Sequence, residues 1–477
     1  MKRNYLGGIV VLCAGLWLGS CSVPAVVTQK NGLSLPAAYP GSTTDTATVT
    51  LHNWKSFFTD TSLLALISTG LEYNHDLQAA MQRIRSAQSE VLLQKGLLAP
   101  TVSAGVVSSL KKFGLYTMDG AGNIATEMTP GKLIPVNLPD YFLGLQTSWE
   151  VDVWGKLKNK KKAALARYLA SVEGKNLLTT QIVSAIAASY YELMAIDHTL
   201  KIIDETILIQ ERAYELVKVQ KESAVSTELA VKQFESRLLN LRAFHWDLLQ
   251  QAKQVESAIH ILTGRMPVPI QREQQFFEAA FPALIETGVP SALLQNRPDI
   301  RQAEWNVLAS NAELQSARAA FYPSFNITGS LGFQAFKPDL LIRTPESVAY
   351  GLLGGLTTPI INRTALKANF QRANAGQIEA FYQYQKAILT GYVEVHNELL
   401  RVKNLERVFD LKNKEAASLS QSIDIAEILF KAGRASYLEV LLTQQNALQA
   451  KLELVDTRKK QFLTTVNLYK ALGGGWQ

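Results

Sequence analysis

Phe321-Tyr322-Pro323-Ser324-Phe325-Asn326-Ile327-Thr328-Gly329-Ser330-Leu331-Gly332-Phe333-Gln334-Ala335-Phe336 is the stretch that decides how this chain folds. A helix-type run from Arg301-Gln302-Ala303-Glu304 leads into it and stops at Pro323, because proline has no amide hydrogen and its ring clashes with the preceding turn. From there odd positions carry Phe325, Ile327, Leu331 and Phe333, with Gly329 and Ala335 between, and even positions carry Ser324, Asn326, Thr328, Ser330 and Gln334. Successive side chains of a strand point to opposite faces, so this is a strand with one greasy and one wet face. The same pattern stands earlier in the chain, where a helix expected from about Asp60 to Ala99, with Asp60 or Thr61 as its N-cap, carries Gln82-Arg83-Ile84-Arg85 to Leu98-Ala99, stops at Pro100 and gives way to Thr101-Val102-Ser103-Ala104-Gly105-Val106. The two copies lie too far apart for a solenoid repeat and read as one duplicated unit.

Each copy holds a second strand. Tyr141, Leu143, Leu145 and Trp149 alternate with Gly144, Gln146 and Ser148, and a weaker, glycine-rich run covers Val348 to Leu356. Strands are expected at about 101–112, 141–152, 324–336 and 347–358. Strands of about 9–11 residues with aromatic residues near their ends match the wall of a membrane barrel, although a half-buried soluble sheet shows the same alternation. In lipid, four strands leave open edges that nothing solvates, and about eight is the smallest common barrel. The chain must therefore associate with copies of itself.

The remainder is helical. From Ile182 a seam runs through Ile186, Ser189, Leu193, Ile196, Leu200, Ile203, Ile207, Gln210, Tyr214 and Val217. Its alternating gaps of four and three are those of a coiled coil. The second copy repeats it through Leu441, Gln445, Leu448, Leu452, Val455, Lys459, Phe462, Val466 and Tyr469. Gln and Lys at seam positions are either register devices or positions facing water. A continuous helix from Lys156 to Gln220 would reach about 100 Å at 1.5 Å per residue, far more than a bilayer needs. Both long helices turn back at matching places: Phe430 to Val440 contains a C-cap Gly433 and an N-cap Ser436, and Lys221 to Val231 has Ala224 and Thr227 in those roles.

The 477 residues are 47% hydrophobic and 19% charged, which excludes wholesale disorder. No apolar run of about 20 residues follows the N-terminal segment, which excludes a polytopic helical membrane protein. The formal charge is +7. Its one dense cluster, Lys156-Leu157-Lys158-Asn159-Lys160-Lys161-Lys162, lacks the aromatic interleaving of a nucleic-acid site and reads as a solvated helix start beside a membrane surface. No nucleic-acid partner is expected. Lys2 and Arg3 precede a short apolar segment, Leu6 to Leu18, too short to span a bilayer. Leu18-Gly19-Ser20-Cys21 resembles the lipobox of bacterial lipoproteins, which implies cleavage before Cys21 and acylation of its thiol, a multi-chain anchor in outer-membrane lipid. With Cys13 inside the removed segment, no thiol remains for a disulfide, a metal or a nucleophile. The expected organisation is a signal over 1–20, a lipidated tether over 21–60, a first repeat over 61–265, an irregular linker over 266–297, a second repeat over 298–473 and a tail over 474–477.

Five further motifs carry a family resemblance. Trp149-Glu150-Val151-Asp152-Val153-Trp154-Gly155-Lys156, Arg297-Pro298-Asp299-Ile300, Ala317-Arg318-Ala319-Ala320-Phe321-Tyr322-Pro323-Ser324, Ser436-Tyr437-Leu438-Glu439-Val440-Leu441 and Ala471-Leu472-Gly473-Gly474-Gly475-Trp476 stand at intervals along nearly the whole chain. Together they resemble the TolC-like outer-membrane factors, in their lipoprotein branch serving resistance-nodulation-division efflux pumps. The resemblance implies a mainly α chain with a small β part, built of duplicated helix-strand-strand-helix-helix units. Its trimer would form a 12-stranded outer-membrane β-barrel continued by a 12-helix coiled-coil periplasmic tunnel. It also implies a periplasmic adaptor and an inner-membrane transporter as partners, with Ala224, Ser226, Thr227, Gly433, Arg434 and Ser436 as the turns that meet the adaptor. Glu439 falls on an acidic position of the closed tunnel end, whereas Leu442 and Ala230 stand where further acids could. The expected role is a passive channel for drugs or other toxic compounds. A copper or silver channel and a type I secretion channel share the architecture. Met81, Met118, Met128, Met194 and Met266 are isolated rather than clustered for metal, and the six histidines show no catalytic spacing. Neither an enzyme nor a cofactor is expected. A coiled-coil adhesin or the adaptor itself would lack the duplicated strand pairs.

Overall fold

The computed structural model describes position 36 and residues 53–272, 290–358 and 363–476. The signal segment, Cys21 and most of the tether lie outside the described residues. The first helices are α1 (Trp54–Phe57), α2 (Thr61–Tyr73) and α3 (His75–Gly96). The strand β1 (Thr101–Lys111) follows, then α4 (Met118–Ala125), a small hairpin of β2 (Glu127–Thr129) and β3 (Lys132–Leu133), and β4 (Leu138–Val151). Next come α5 (Lys156–Glu222) and α6 (Glu228–Thr263), which close the first copy. The second comprises α7 (Leu293–Asn296), α8 (Pro298–Ala319), β5 (Ser324–Ala335), β6 (Val348–Thr357), α9 (Thr364–Lys431) and α10 (Tyr437–Ala471). No helix among the described residues is long and apolar enough to cross a membrane.

Contacts divide the chain into two units. One holds Arg85–Tyr168 and Trp305–Phe381, the other the remaining described residues. The first unit carries an antiparallel sheet in the order β1-β4-β5-β6, so the two strand pairs meet through β4 and β5, with Leu145 opposite Leu331 and Trp149 opposite Ile327. Gly144 and Gly332 face each other at this joint, and a Cβ on either would come within 2.5 or 2.3 Å of a carbonyl of the opposite strand. Larger residues there would force the two copies' strands apart.

The second unit is a helical core. Tyr190, Ile186, Val183, Phe462, Val466 and Tyr469 are buried together, with Tyr191 stacked on Phe462 at 4.6 Å. The seam is real packing: Ile186, Leu193, Ile196, Ile203 and Val217 are all buried. Of its polar positions, Gln210 is buried, and Lys459 pairs with Glu192 at 3.2 Å and Asp456 at 3.3 Å, so neither simply faces water.

Three expectations need correction. The tether expected as far as residue 60 ends sooner, because Trp54 and Phe58 pack into the core and buried Asp60 caps α2 while accepting from Tyr190 Oη at 2.7 Å. The helix expected from Asp60 to Ala99 is broken at Asn74, whose Oδ1 accepts from Leu77 N at 3.0 Å and whose Nδ2 donates to Leu262 O at 2.8 Å. The described end of the expected irregular linker is ordered, with α7 placing Leu293 in an apolar cluster beside Ile300 and Leu472. The helix α4 and the β2–β3 hairpin between the first two strands were not foreseen.

Candidate functional site: a two-faced sheet and paired helical turns

Register converts the alternation of single strands into two continuous surfaces. One face of the sheet gathers Val106, Leu143, Leu145, Leu331, Phe333 and Tyr350, all paired across strands. It stays uncovered, with Val106 72% and Tyr350 84% exposed. The other face carries Ser103, Gln146, Ser148, Asn326, Thr328 and Ser330, and a groove of about 530 Å³ along it is lined by Ser103, Gln146, Thr328 and Ser330 among others. Exposed apolar surface of this kind is stable only against lipid or another chain. The strands β1 and β6 lie at the ends of the order, so each presents one unpaired backbone edge among the described residues, which hydrocarbon does not tolerate.

The Trp149 to Lys156 motif makes the corner between strand and helix. Trp149 Nε1 donates to Leu98 O at 3.0 Å, and Trp154 Nε1 donates to Pro323 O at 2.7 Å while its ring stacks on Tyr322 at 5.0 Å. The two copies' strand ends are thereby tied together. Gly155 turns the chain with φ +76°, and Asp152 accepts from the amides of Leu157 at 2.9 Å and Lys158 at 2.7 Å, satisfying the free donors of α5. A Trp and Tyr pair of this kind suits a membrane–water interface.

In the helical unit the two hairpin turns are built alike. Ala224 N donates to Lys221 O at 2.9 Å and Val225 N to Gln220 O at 2.8 Å, while Gly433 N donates to Phe430 O at 3.0 Å and Arg434 N to Leu429 O at 2.8 Å. Both are Schellman caps, with Ala224 at φ 58° and Gly433 at φ 70°. Thr227 Oγ1 then accepts from Ala230 N at 3.2 Å, and Ser436 Oγ accepts from Glu439 N at 3.3 Å. Tyr437 and Leu441 pack against Val217, Val231 and Phe234, so the turns sit side by side. Val225, Leu229, Leu438 and Leu442 remain exposed around them.

Of the acidic candidates only Glu439 is present, and it is exposed. Its carboxylate accepts from Ser436 N at 2.6 Å and Ser436 Oγ at 2.9 Å, completing a capping box. These bonds hold its pKa below the ordinary glutamate value. Ala230 is buried and Leu442 half exposed. In the first copy's turn the charge is Glu228 instead, paired with Lys221 and likewise shifted down by that ammonium. Ala224, Thr227, Gly433, Arg434 and Ser436 are exposed, and Ser226 is half-buried.

Two of the quoted motifs turn out to serve packing. Buried Arg297 donates to Asp299 at 3.0 and 2.7 Å, to Glu394 at 2.8 Å and to the carbonyl of Ala471 at 2.8 Å. Burial works against its charge, but Asp299 and Glu394 outweigh it and raise its pKa. Trp476 Nε1 reaches Asn296 O at 3.2 Å, and Gly473 lies against the same carbonyl. The Arg-Pro-Asp and Gly-Gly-Gly-Trp motifs therefore hold one another.

A sheet with a lipid-type face, a polar face and long paired helices defines an outer-membrane channel. The chain belongs to the outer membrane efflux protein family, whose pattern it matches over residues 66–265 and 289–474. It is 29% identical over 470 residues to the pyoverdine export outer membrane protein OpmQ of Pseudomonas aeruginosa, covering 98% of this chain and 96% of that one. It is 26% identical over 473 residues to the cation efflux system protein CusC of Escherichia coli, covering 98% and 99%. A crystal structure of a membrane protein from Pseudomonas aeruginosa superposes with a TM-score of 0.84 at 24% identity, over 94% of this chain and 97% of that one. The protein is thus an efflux channel of the outer membrane, mainly helical with a small strand part, and reaches into the periplasm.

Proposed function

We propose that this chain is the outer-membrane conduit of a tripartite pump, working as a homotrimer with a periplasmic adaptor and an inner-membrane resistance-nodulation-division transporter. The observation that carries the reading is the four-stranded sheet with an uncovered apolar face and two unpaired edges. Three copies joining β1 to β6 give a closed twelve-stranded barrel with no edge in lipid. The turns at Ala224, Ser226, Thr227, Gly433, Arg434 and Ser436 offer small and polar residues framed by Val225, Leu229 and Leu438, a surface suited to an adaptor's helical tips. Glu439, repeated three times about the axis, forms an acidic constriction at that end. Cys21 carries the lipid anchor, and the repeats extend over 61–265 and 298–473.

The passage itself performs no chemistry and holds no cofactor. Relatives named for pyoverdine and for cations share the architecture, as expected of a conduit whose cargo is chosen by the transporter upstream. Detergent-solubilised protein is expected to run at three times the protomer mass in native mass spectrometry and to give unitary conductance steps in planar bilayers. A monomer that leaves bilayers silent would overturn the proposal. Intact mass of the mature protein tests Cys21: acyl chains are expected, and their absence removes the anchor. Recordings of Glu439→Ala test the constriction, with a larger conductance expected.

A further inference from the structure

A cavity of about 700 Å³ opens in the sheet-bearing unit, among the first turns of α5, the end of α8 and the beginning of α9. Four of its wall residues are cations, Lys156, Lys160, Arg167 and Arg372, against the single carboxylate of Glu313. Lys156 fixes which side of the wall this is. Its ammonium pairs with Glu150, and Glu150 stands opposite Asn326 on the polar face of the sheet, in line with Gln146 and Ser148. Lys160 and Arg167 follow Lys156 at helical spacing on the same face of α5. The cavity therefore continues the wet face of the strands rather than the lipid-facing one.

The charges on this wall do not cancel. Lys156 is matched by Glu150, and Arg167 by Glu313. Among the described residues Lys160 has no carboxylate partner, and Arg372 donates to the neutral Oδ1 of Asn369 at 2.9 Å. Ser316 Oγ bonds to Lys156 O at 2.9 Å and fixes α8 to α5, so the cations are held around one space.

We propose that this wall is an anion-binding station within the conduit, which draws in cargo bearing two or more carboxylate, phosphate or sulfonate groups. The proposal rests on the channel reading given above and names a class of cargo for it. A polyanion engages Lys160 and Arg372 together, and a guanidinium presents a planar fork that matches such groups. Threefold assembly repeats the station about the axis and focuses its field on passing solutes.

The test uses the full-length protein in planar bilayers under a KCl gradient, with citrate then added to the barrel side. Wild type is expected to conduct, and citrate to reduce its current. In Lys160→Gln/Arg372→Gln the chloride-to-potassium permeability ratio should fall by about twofold or more, and citrate block should weaken about tenfold. Lys160→Glu alone should shift the ratio in the same direction. Lys158→Gln/Lys162→Gln, exposed positions outside the cavity, should leave both readings at wild-type values. A conducting double variant with unchanged selectivity and unchanged block would sink the station and leave the channel standing. Wild type without conductance would sink the channel reading and the station with it.

Discussion

At the residue scale, Ala224 and Gly433 form a natural comparison. Both occupy the left-handed region at the same point of the same cap, but a Cβ there crowds the following carbonyl. Ala224→Gly should stabilise the protein by about 0.5–1 kcal/mol and Gly433→Ala should cost a similar amount, both measured by chemical denaturation. Glu439 supplies a pH test. Its folded-state pKa lies below its unfolded one, so its contribution is complete above the ordinary glutamate value and fades as pH falls through the folded value. The protection of the Ser436 amide against exchange, relative to its intrinsic rate at each pH, should fall on that descent in wild type and stay level in Glu439→Gln. Arg297→Met should destabilise the helical unit by about 3–5 kcal/mol in urea unfolding, because Asp299 and the Ala471 carbonyl lose a buried partner. The glycine and serine of the second turn announced themselves in the sequence. Arg372 did not, because nothing in its own neighbourhood says that it will stand across a cavity from Lys160.

At the element scale, strict alternation made β4 and β5 legible, since a period of two sustained along each strand fits no helix. The weaker edge strands were legible mainly as their partners. What escaped was punctuation dictated from afar. Asn74 breaks the first helix because its side chain is satisfied by Leu262, 188 positions away, and no local pattern contains that information. The faces themselves make a sharp test. Leu331→Lys puts a charge near the middle of the apolar face and should cost about 2–4 kcal/mol in vesicles, whereas Ser330→Lys, on the wet face, should cost less than about 1 kcal/mol. Heat-modifiable gel mobility and urea titration of the reconstituted protein would read both. Equal losses would mean that the two faces do not differ in solvent.

At the scale of the whole molecule, duplication and strand counting foretold self-association, but not which strands would meet in one chain. The answer is β4 with β5, and side chains bridge that joint too, Gln334 Nε2 to Asp140 Oδ1 at 2.8 Å across 194 positions. The central seam of the sheet thus joins the two halves of the polypeptide. During export, when only the leading half has emerged, β4 has a partner on one side and a bare backbone on the other. Such an edge is a ready template for wrong pairing, and it persists for as long as the trailing half takes to arrive. A chain stalled at mid-length, its β4 edge still bare, should therefore be cleared by proteolysis rather than inserted, which pulse-chase of a truncated protein would read.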